Sequence, residues 1–219
     1  MIPVLMLVLL GSVWGFLKLA SEVRENETRH YDEALLLAMR EPGNTADPIG
    51  PQRVEEMARD LTALGGFTIL TGVTLVSSGV AVFAGRWRLA VLGLVSVLLG
   101  MGVMNLLKQG YDRPRPELVE HGMLTHHASF PSGHSMMAAV VYLTLGILLA
   151  RTQPKKRVRV FIVAISVLIT VLVGVSRVYL GVHWPTDVLA GWTLGGAWAV
   201  LFWLVAMKVD PRISPPSLS

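Results

Sequence analysis

The sequence predicts an all-α polytopic membrane protein, with six transmembrane helices and short interfacial helices in its first outer loop. Three observations carry this. The 219 residues are 53% apolar and only 16% charged, against roughly 25% charged in an ordinary soluble domain. The apolar residues fall in runs close to the 20 or so that a spanning helix needs. The basic residues gather in short segments between those runs. Despite a net charge of +4, that is the pattern of membrane topology and not of a nucleic-acid face. High hydropathy with low charge excludes disorder over most of the chain. The absence of cysteine excludes disulfide scaffolds, thiolate-held metals and cysteine nucleophiles. The length predicts one domain, 1–219.

The expected spans lie near 2–20, 63–84, 88–107, 134–150, 159–176 and 187–207. The first has no basic leader and no small-x-small cleavage site before Ser21, so it is read as a retained helix. Residues 21–62 form the one long connection. Within it Tyr31–Arg40 and Pro51–Asp60 have amphipathic spacing, and Pro51 suits a first helical position. A cluster rich in Pro, Gly, Asn and Asp, Glu41 to Gly50, separates them. Two pictures fit: interfacial helices on the outer membrane surface, or a small cap with no lipid contact. The tail from Pro211 to Ser219 has the composition of a disordered segment.

Six crossings place both termini on one side. The loop Arg151-Thr-Gln-Pro-Lys-Lys-Arg-Val-Arg159 is the densest basic segment and marks the cytoplasmic side. The expected location is therefore the cytoplasmic (inner) membrane, with both termini inside.

Taken singly, the polar residues at the helix ends have ordinary explanations. Lys108 reads as a snorkelling anchor. Arg113 and Arg115 read as part of an extended loop stiffened by Pro114 and Pro116. Ser132 in Phe130-Pro-Ser-Gly-His134 reads as a helix N-cap. Arg177 suits a helix C-terminus, and Asp187 a helix first turn behind Pro185. Taken together they do not. Alternating crossings put Lys108, Arg115, Ser132, His134, Arg177, His183 and Asp187 on the same outer side near membrane level. Basic residues and two helix N-termini converging there make an anion site.

Two histidines suggest the chemistry. Phosphoryl transfer needs positioning, charge neutralisation, a nucleophile and a proton donor for the leaving oxygen. A neutral imidazole attacks phosphorus if its other nitrogen is fixed as N–H by a carboxylate. His183 and Asp187, four apart, are spaced for that contact. His134 is then available as general acid, and later as base on water. No carboxylate cluster suited to two metals is present, so no metal and no cofactor are expected.

At these residues the sequence resembles the type 2 phosphatidic acid phosphatase superfamily. Its signature has three parts: K-x6-R-P, P-S-G-H and S-R-x5-H-x3-D. The chain matches all three, at Lys108 to Arg115-Pro116, at Pro131-Ser132-Gly133-His134, and at Ser176-Arg177 to His183 to Asp187. The resemblance implies a metal-independent lipid phosphatase that works through a phosphohistidine. His183 would be the nucleophile, Asp187 its orienting partner and His134 the acid and base. Lys108, Arg115 and Arg177 would hold the phosphate, with Ser132 and Gly133 donating hydrogen bonds. Soluble vanadium haloperoxidases belong to the same superfamily, but six apolar spans argue against that branch.

The expected partners are the bilayer and a membrane-lipid phosphate, with no nucleic acid; oligomeric state is not legible. The resemblance points to undecaprenyl pyrophosphate or phosphatidylglycerol phosphate. Lipid-to-lipid phosphate transfer, a lipid A phosphatase and a non-catalytic lipid-binding or transport protein are the alternatives. Headgroup choice falls to residues 21–62 and 117–130.

Several neighbours carry weaker expectations. Arg113 either adds charge to the site or faces water. Tyr111 reads as an interfacial anchor. His121, His126 and His127 read as solvated loop residues. Asn105, inside an apolar run, needs a partner on another helix. Gly65-Gly66 and Gly195-Gly196-Ala197 read as close helix packing. Trp184, Trp192, Trp198 and Trp203 read as core or lipid-facing.

Overall fold

The computed structural model describes residues 2–116 and 128–210. The expectations for His121, His126, His127, the rest of 117–127 and the tail from Pro211 lie outside the described residues.

Helix α1 runs from Ile2 to Arg24 and packs along α9. The long connection follows, with α2 at Arg29–Leu37, strands β1 at Arg40–Glu41 and β2 at Asn44–Pro48, and α3 at Gln52–Ala63. Helix α4 spans Phe67–Phe83 and α5 spans Trp87–Gly110. The next span is α6 at Gly133–Ala138, a single π-helical turn at Ala139–Leu143, and α7 at Thr144–Thr152. Helices α8 at Lys156–Tyr179 and α9 at Pro185–Val209 complete the described chain. Among the described residues, five helical units are long and apolar enough to cross a membrane. A sixth results if α3 and α4, bent by 50° at their junction, are taken as one span. The chain is a multi-pass, all-α membrane protein.

The helices outrun the apolar runs at several ends. Helix α5 continues to Gly110, and α9 begins at Pro185 and not at 187. Backbone hydrogen bonding carries a helix beyond its lipid-facing residues into the polar caps, so hydropathy alone shortens the spans.

The central span, Gly133–Thr152, is the hub. It is 72% buried, whereas the α1 window is 6% buried and exposes most of its apolar surface. Met136, Val140 and Val141 have no solvent exposure and pack with Leu70, Val97 and Val173 from the surrounding helices. Glycine makes the hub tight. A Cβ on Gly191 would fall 2.9 Å from the Ser132 carbonyl oxygen and the Met136 nitrogen; one on Gly195 would fall 2.5 Å from Ala139 Cβ. The backbones of α6 and α9 therefore touch, and only a missing side chain allows it. Gly196 faces open space and plays no such part.

The connection 21–62 is a cap docked on the Tyr179 end of α8 and the Pro185 end of α9. Leu36 is fully buried against Val178, Trp184 and Val188. Arg40 Nη2 donates to the Tyr179 carbonyl at 2.9 Å, and Tyr179 Oη donates to the Ile49 carbonyl at 2.8 Å. The cap keeps an exposed apolar fringe, Tyr31, Leu35, Met57 and others. The antiparallel β1–β2 hairpin stands where the sequence shows only a turn-rich separator. Its strands are too short for any alternation to register.

Candidate active site

Three elements bring the motif residues together. Lys108 lies in the last turn of α5. Its Nζ reaches the Ala128 carbonyl at 3.4 Å and crosses the start of α6, where a Cβ on Gly133 would meet Lys108 Cε at 3.3 Å. Ser132 caps α6, its Oγ accepting from Ser135 N at 3.4 Å and Ser135 Oγ at 2.9 Å. His134 follows in the first turn. The electrostatic neighbours of His134 are Arg177, His183, Lys108 and Arg115.

His183 sits in the short α8–α9 loop and is 1% exposed. Its Nδ1 lies 3.4 Å from Asp187 Oδ2 and 3.4 Å from Ser129 Oγ. Nε2 makes no hydrogen bond to the described residues and is the nitrogen left for chemistry. Asp187 Oδ2 also accepts from the Trp184 backbone N–H at 3.0 Å and from Ser129 Oγ. Burial holds His183 well below the usual histidine range, at about 4, with Asp187 pulling it up and Arg177 and Arg115 pushing it down. The ring is therefore neutral at ordinary pH, the form that has a lone pair to offer.

Around the histidines stand the cations. Arg177 is 8% exposed; its Nη1 donates to Thr62 Oγ1 at 3.0 Å, while its buried Nε has no partner among the described residues. Such an orphaned donor beside other cations suits an anionic ligand oxygen. Arg115 Nη1 donates to the Val182 carbonyl at 2.8 Å, and burial, opposed by Asp187, lowers its pKa from the ordinary arginine value. A cavity of about 600 Å³ opens beside His134. Lys108, Gly133 and His134 line its polar end, and Leu70, Val97, Met101 and Met104 its apolar end. Among the described residues, no three His, Asp or Glu side chains gather as a metal-ligand set.

Several expectations change. The Ser132 backbone N–H bonds the Asp187 carbonyl at 3.0 Å, so only the Ser132 hydroxyl is left to donate to a ligand. Arg113 neither joins the anion cradle nor faces water: it pairs with Asp187 Oδ1 at 2.5 Å and Asp32 Oδ2 at 2.6 Å. Asn105 lines the cavity, and among the described residues no hydrogen bond joins it to another helix. Tyr111 packs against Phe130, with ring centroids 4.9 Å apart. Trp184 is buried; its Nε1 donates to the Pro114 carbonyl at 3.0 Å and its ring lies under Arg113.

Three contacts were invisible in the sequence. Ser129 precedes the second motif, but nothing marks it as a partner of Asp187. Thr62 and Asp32 lie 115 and 81 positions from the arginines they bind. The one available signal was the spacing of Asp32 and Leu36, which puts an acid on the apolar face of α2.

Comparison with known proteins settles the family. The sequence profile of the PAP2 superfamily matches residues 89–210. The chain is 36% identical over 200 residues to phosphatidylglycerophosphatase B of Bacillus subtilis (strain 168), covering 87% of this chain and 89% of that one. This chain belongs to the PAP2 superfamily. A solved structure, the transmembrane PAP2 type phosphatidylglycerolphosphate phosphatase from Bacillus subtilis, superposes with a TM-score of 0.84 at 30% identity. The match covers 93% of this chain and 98% of that one. A shorter match, 43% identical over 88 residues, is to undecaprenyl-diphosphatase of Sulfolobus acidocaldarius and covers 40% of this chain and 35% of that relative. The PAP2 assignment makes the chain a membrane-embedded hydrolase of phosphoric esters, a lipid phosphatase.

Proposed function

We propose that this PAP2 protein removes phosphate from a lipid headgroup at the outer face of the cytoplasmic membrane, without a metal, through a phosphohistidine on His183. The carrying observation is the buried His183–Asp187 pair, with Arg177 and Arg115 close to the ring, next to His134, which itself lines a mainly apolar cavity together with Lys108 and Gly133. The lipid's tails lie along Leu70, Met101 and Met104, and its phosphate meets Lys108, Arg115 and Arg177. The Ser132 hydroxyl and the Gly133 N–H at the α6 N-terminus add donors.

His183 Nε2 attacks phosphorus, forming the N–P bond as the bond to the leaving oxygen breaks. Nδ1–H stays on the ring, and Asp187 stabilises the positive charge that builds there. His134 gives its proton to the leaving oxygen, then takes one from water as that water attacks the phosphohistidine. Inorganic phosphate leaves, and both histidines return to their starting forms.

Phosphatidylglycerol phosphate and undecaprenyl pyrophosphate are the favoured substrates, supported by what the relatives are named for. The orientation is supported by the position of the basic loop 151–159, which joins α7 to α8 at the end opposite the candidate site. The test is phosphate release by the purified protein in EDTA from these two lipids, phosphatidic acid and lipid A. Release that disappears in His183→Ala, with 32P trapped on the wild-type protein only, supports the proposal. A His183→Ala variant that keeps more than about one per cent of the rate would remove the nucleophile assignment, since losing a nucleophile costs far more. Phosphate appearing on a second lipid, and not in solution, would identify a transferase instead.

A further inference from the structure

Asp32 has no place in the three motifs, yet it is among the most buried side chains of the protein, with no solvent exposure. It comes from α2, in the cap. It accepts from Thr28 Oγ1 at 3.2 Å, from the Thr186 backbone N–H at 2.9 Å, from Thr186 Oγ1 at 2.6 Å and from Arg113 Nη2 at 2.6 Å. All four partners are donors, the environment of an ionised, acceptor-only carboxylate. Arg113 stands between Asp32 and Asp187, and its Nη1 also donates to Thr186 Oγ1 at 2.8 Å. Asp187 in turn faces His183.

Burying a carboxylate is costly, and an apolar residue would pack α2 against α9 at less expense. The arrangement has a specific electrical consequence. One guanidinium is shared by two carboxylates, so the trio keeps one net negative charge beside His183. With Asp32 absent, Arg113 would neutralise Asp187 in full, and no net charge would face the imidazole as it becomes cationic.

We infer that Asp32 is a positioning residue for the reaction: it holds and balances Arg113, so that Asp187 keeps its negative charge for His183. This rests on the proposed role of His183 as nucleophile. It also gives the cap a part in the chemistry beyond covering the site.

The test is steady-state kinetics of Asp32→Asn, which keeps the side chain's shape and removes its charge. kcat falls about 10- to 100-fold, the fold-change that corresponds to losing a hydrogen bond to a charged group, while KM stays nearly constant. Leu36→Ala loosens the same helix without touching the charges; it lowers the melting temperature and keeps kcat. Asp32→Asn combined with Arg113→Gln removes both the acid and the cation it balances, and recovers part of the lost kcat. Three results would each overturn the inference: an Asp32→Asn kcat within twofold of wild type, an equal kcat loss in Leu36→Ala, or a double variant whose losses multiply. If Asp32→Asn does not fold, Asp32→Ser, which leaves room for water, reads the same charge. A wild-type protein that releases no phosphate, or an active His183→Ala, would count instead against the proposed function, and is seen before any Asp32 variant is made.

Discussion

Arg177 and Thr62 meet across 3.0 Å, joining the end of α8 to the end of α3 and tying the cap to the cation cluster. Its buried Nε has no partner among the described residues, while one Nη is held by the cap. Thr62→Val removes the hydroxyl and preserves the shape. A single hydrogen bond contributes about 1 kcal/mol net to stability, so the melting temperature is expected to fall by about 2–4 °C, and kcat/KM to fall roughly fivefold where the same contact positions Arg177. Kinetics and a thermal melt of the one variant check both halves; an unchanged kcat/KM would show that Arg177 is held adequately by its burial.

Ser129 gives Asp187 one of the contacts that fix its orientation. In Ser129→Ala the carboxylate loses a buried donor. Hydrogen bonds to charged groups contribute about 1.5–3 kcal/mol, and stability should drop by that order. The burst of phosphoenzyme formation should slow as well. Chemical denaturation and rapid quench of the same variant separate the two effects.

Gly65 turns the chain from α3 into α4 directly over His134. A Cβ there would come within 2.6 Å of Val173 and 3.3 Å of His134 Cβ. Gly65→Ala is expected to cost about 1–3 kcal/mol through overpacking and to lower kcat by displacing the imidazole. Gly72→Ala, on a face with nothing within 4 Å, provides the comparison and should change neither. Equal behaviour of the two variants would remove the steric account.

His183 carries a pH prediction. Burial lowers its pKa in the fold to about 4, against about 6.5 in an unfolded chain. Between those values the unfolded chain binds the extra proton and the fold does not. The contribution to stability is therefore complete above about pH 6.5 and is lost as pH falls towards 4. Ring-nitrogen NMR of labelled protein should show His183 still neutral at pH 5.5; a ring titrating near 6.5 would contradict it.

The cysteine-free sequence makes orientation easy to test. A single Cys replacing Asp47, exposed on the hairpin, should react with an impermeant thiol reagent added outside intact cells. One replacing Lys156, at the start of α8, should react only after the membrane is opened. The reverse pattern would place the candidate site inside the cell.

What the sequence revealed and what it hid divide along a physical line. That Lys108, Arg115, His134, Arg177, His183 and Asp187 would sit at helix ends on one side was legible, because helix ends are marked by Pro, Gly and the limits of apolar runs. The long helices α5, α8 and α9 were legible because a bilayer imposes length and polarity on each separately. The cap was not. Its contacts, Leu36 on Val188, Thr62 on Arg177 and Asp32 on Arg113, join residues far apart in the chain, and no local periodicity encodes such distances. Arg113 shows the limit within a single motif. Two places from Arg115, it has the same side chain and a different use, decided by a carboxylate on α2.

The contact of α6 with α9 through Gly191 and Gly195 has a consequence for how such proteins diversify. The candidate reacting residues ride on the helices that are locked backbone to backbone, or on the loop between α8 and α9. The apolar end of the cavity is built largely by α4 and α5, outside that locked unit. On the proposed function, substitutions at Phe67 or Met101, on those two helices, reshape the space for a tail while the locked pair holds the histidines in register. Headgroup chemistry and tail preference are then set by separate parts of the fold, and one can be altered with the other left in place.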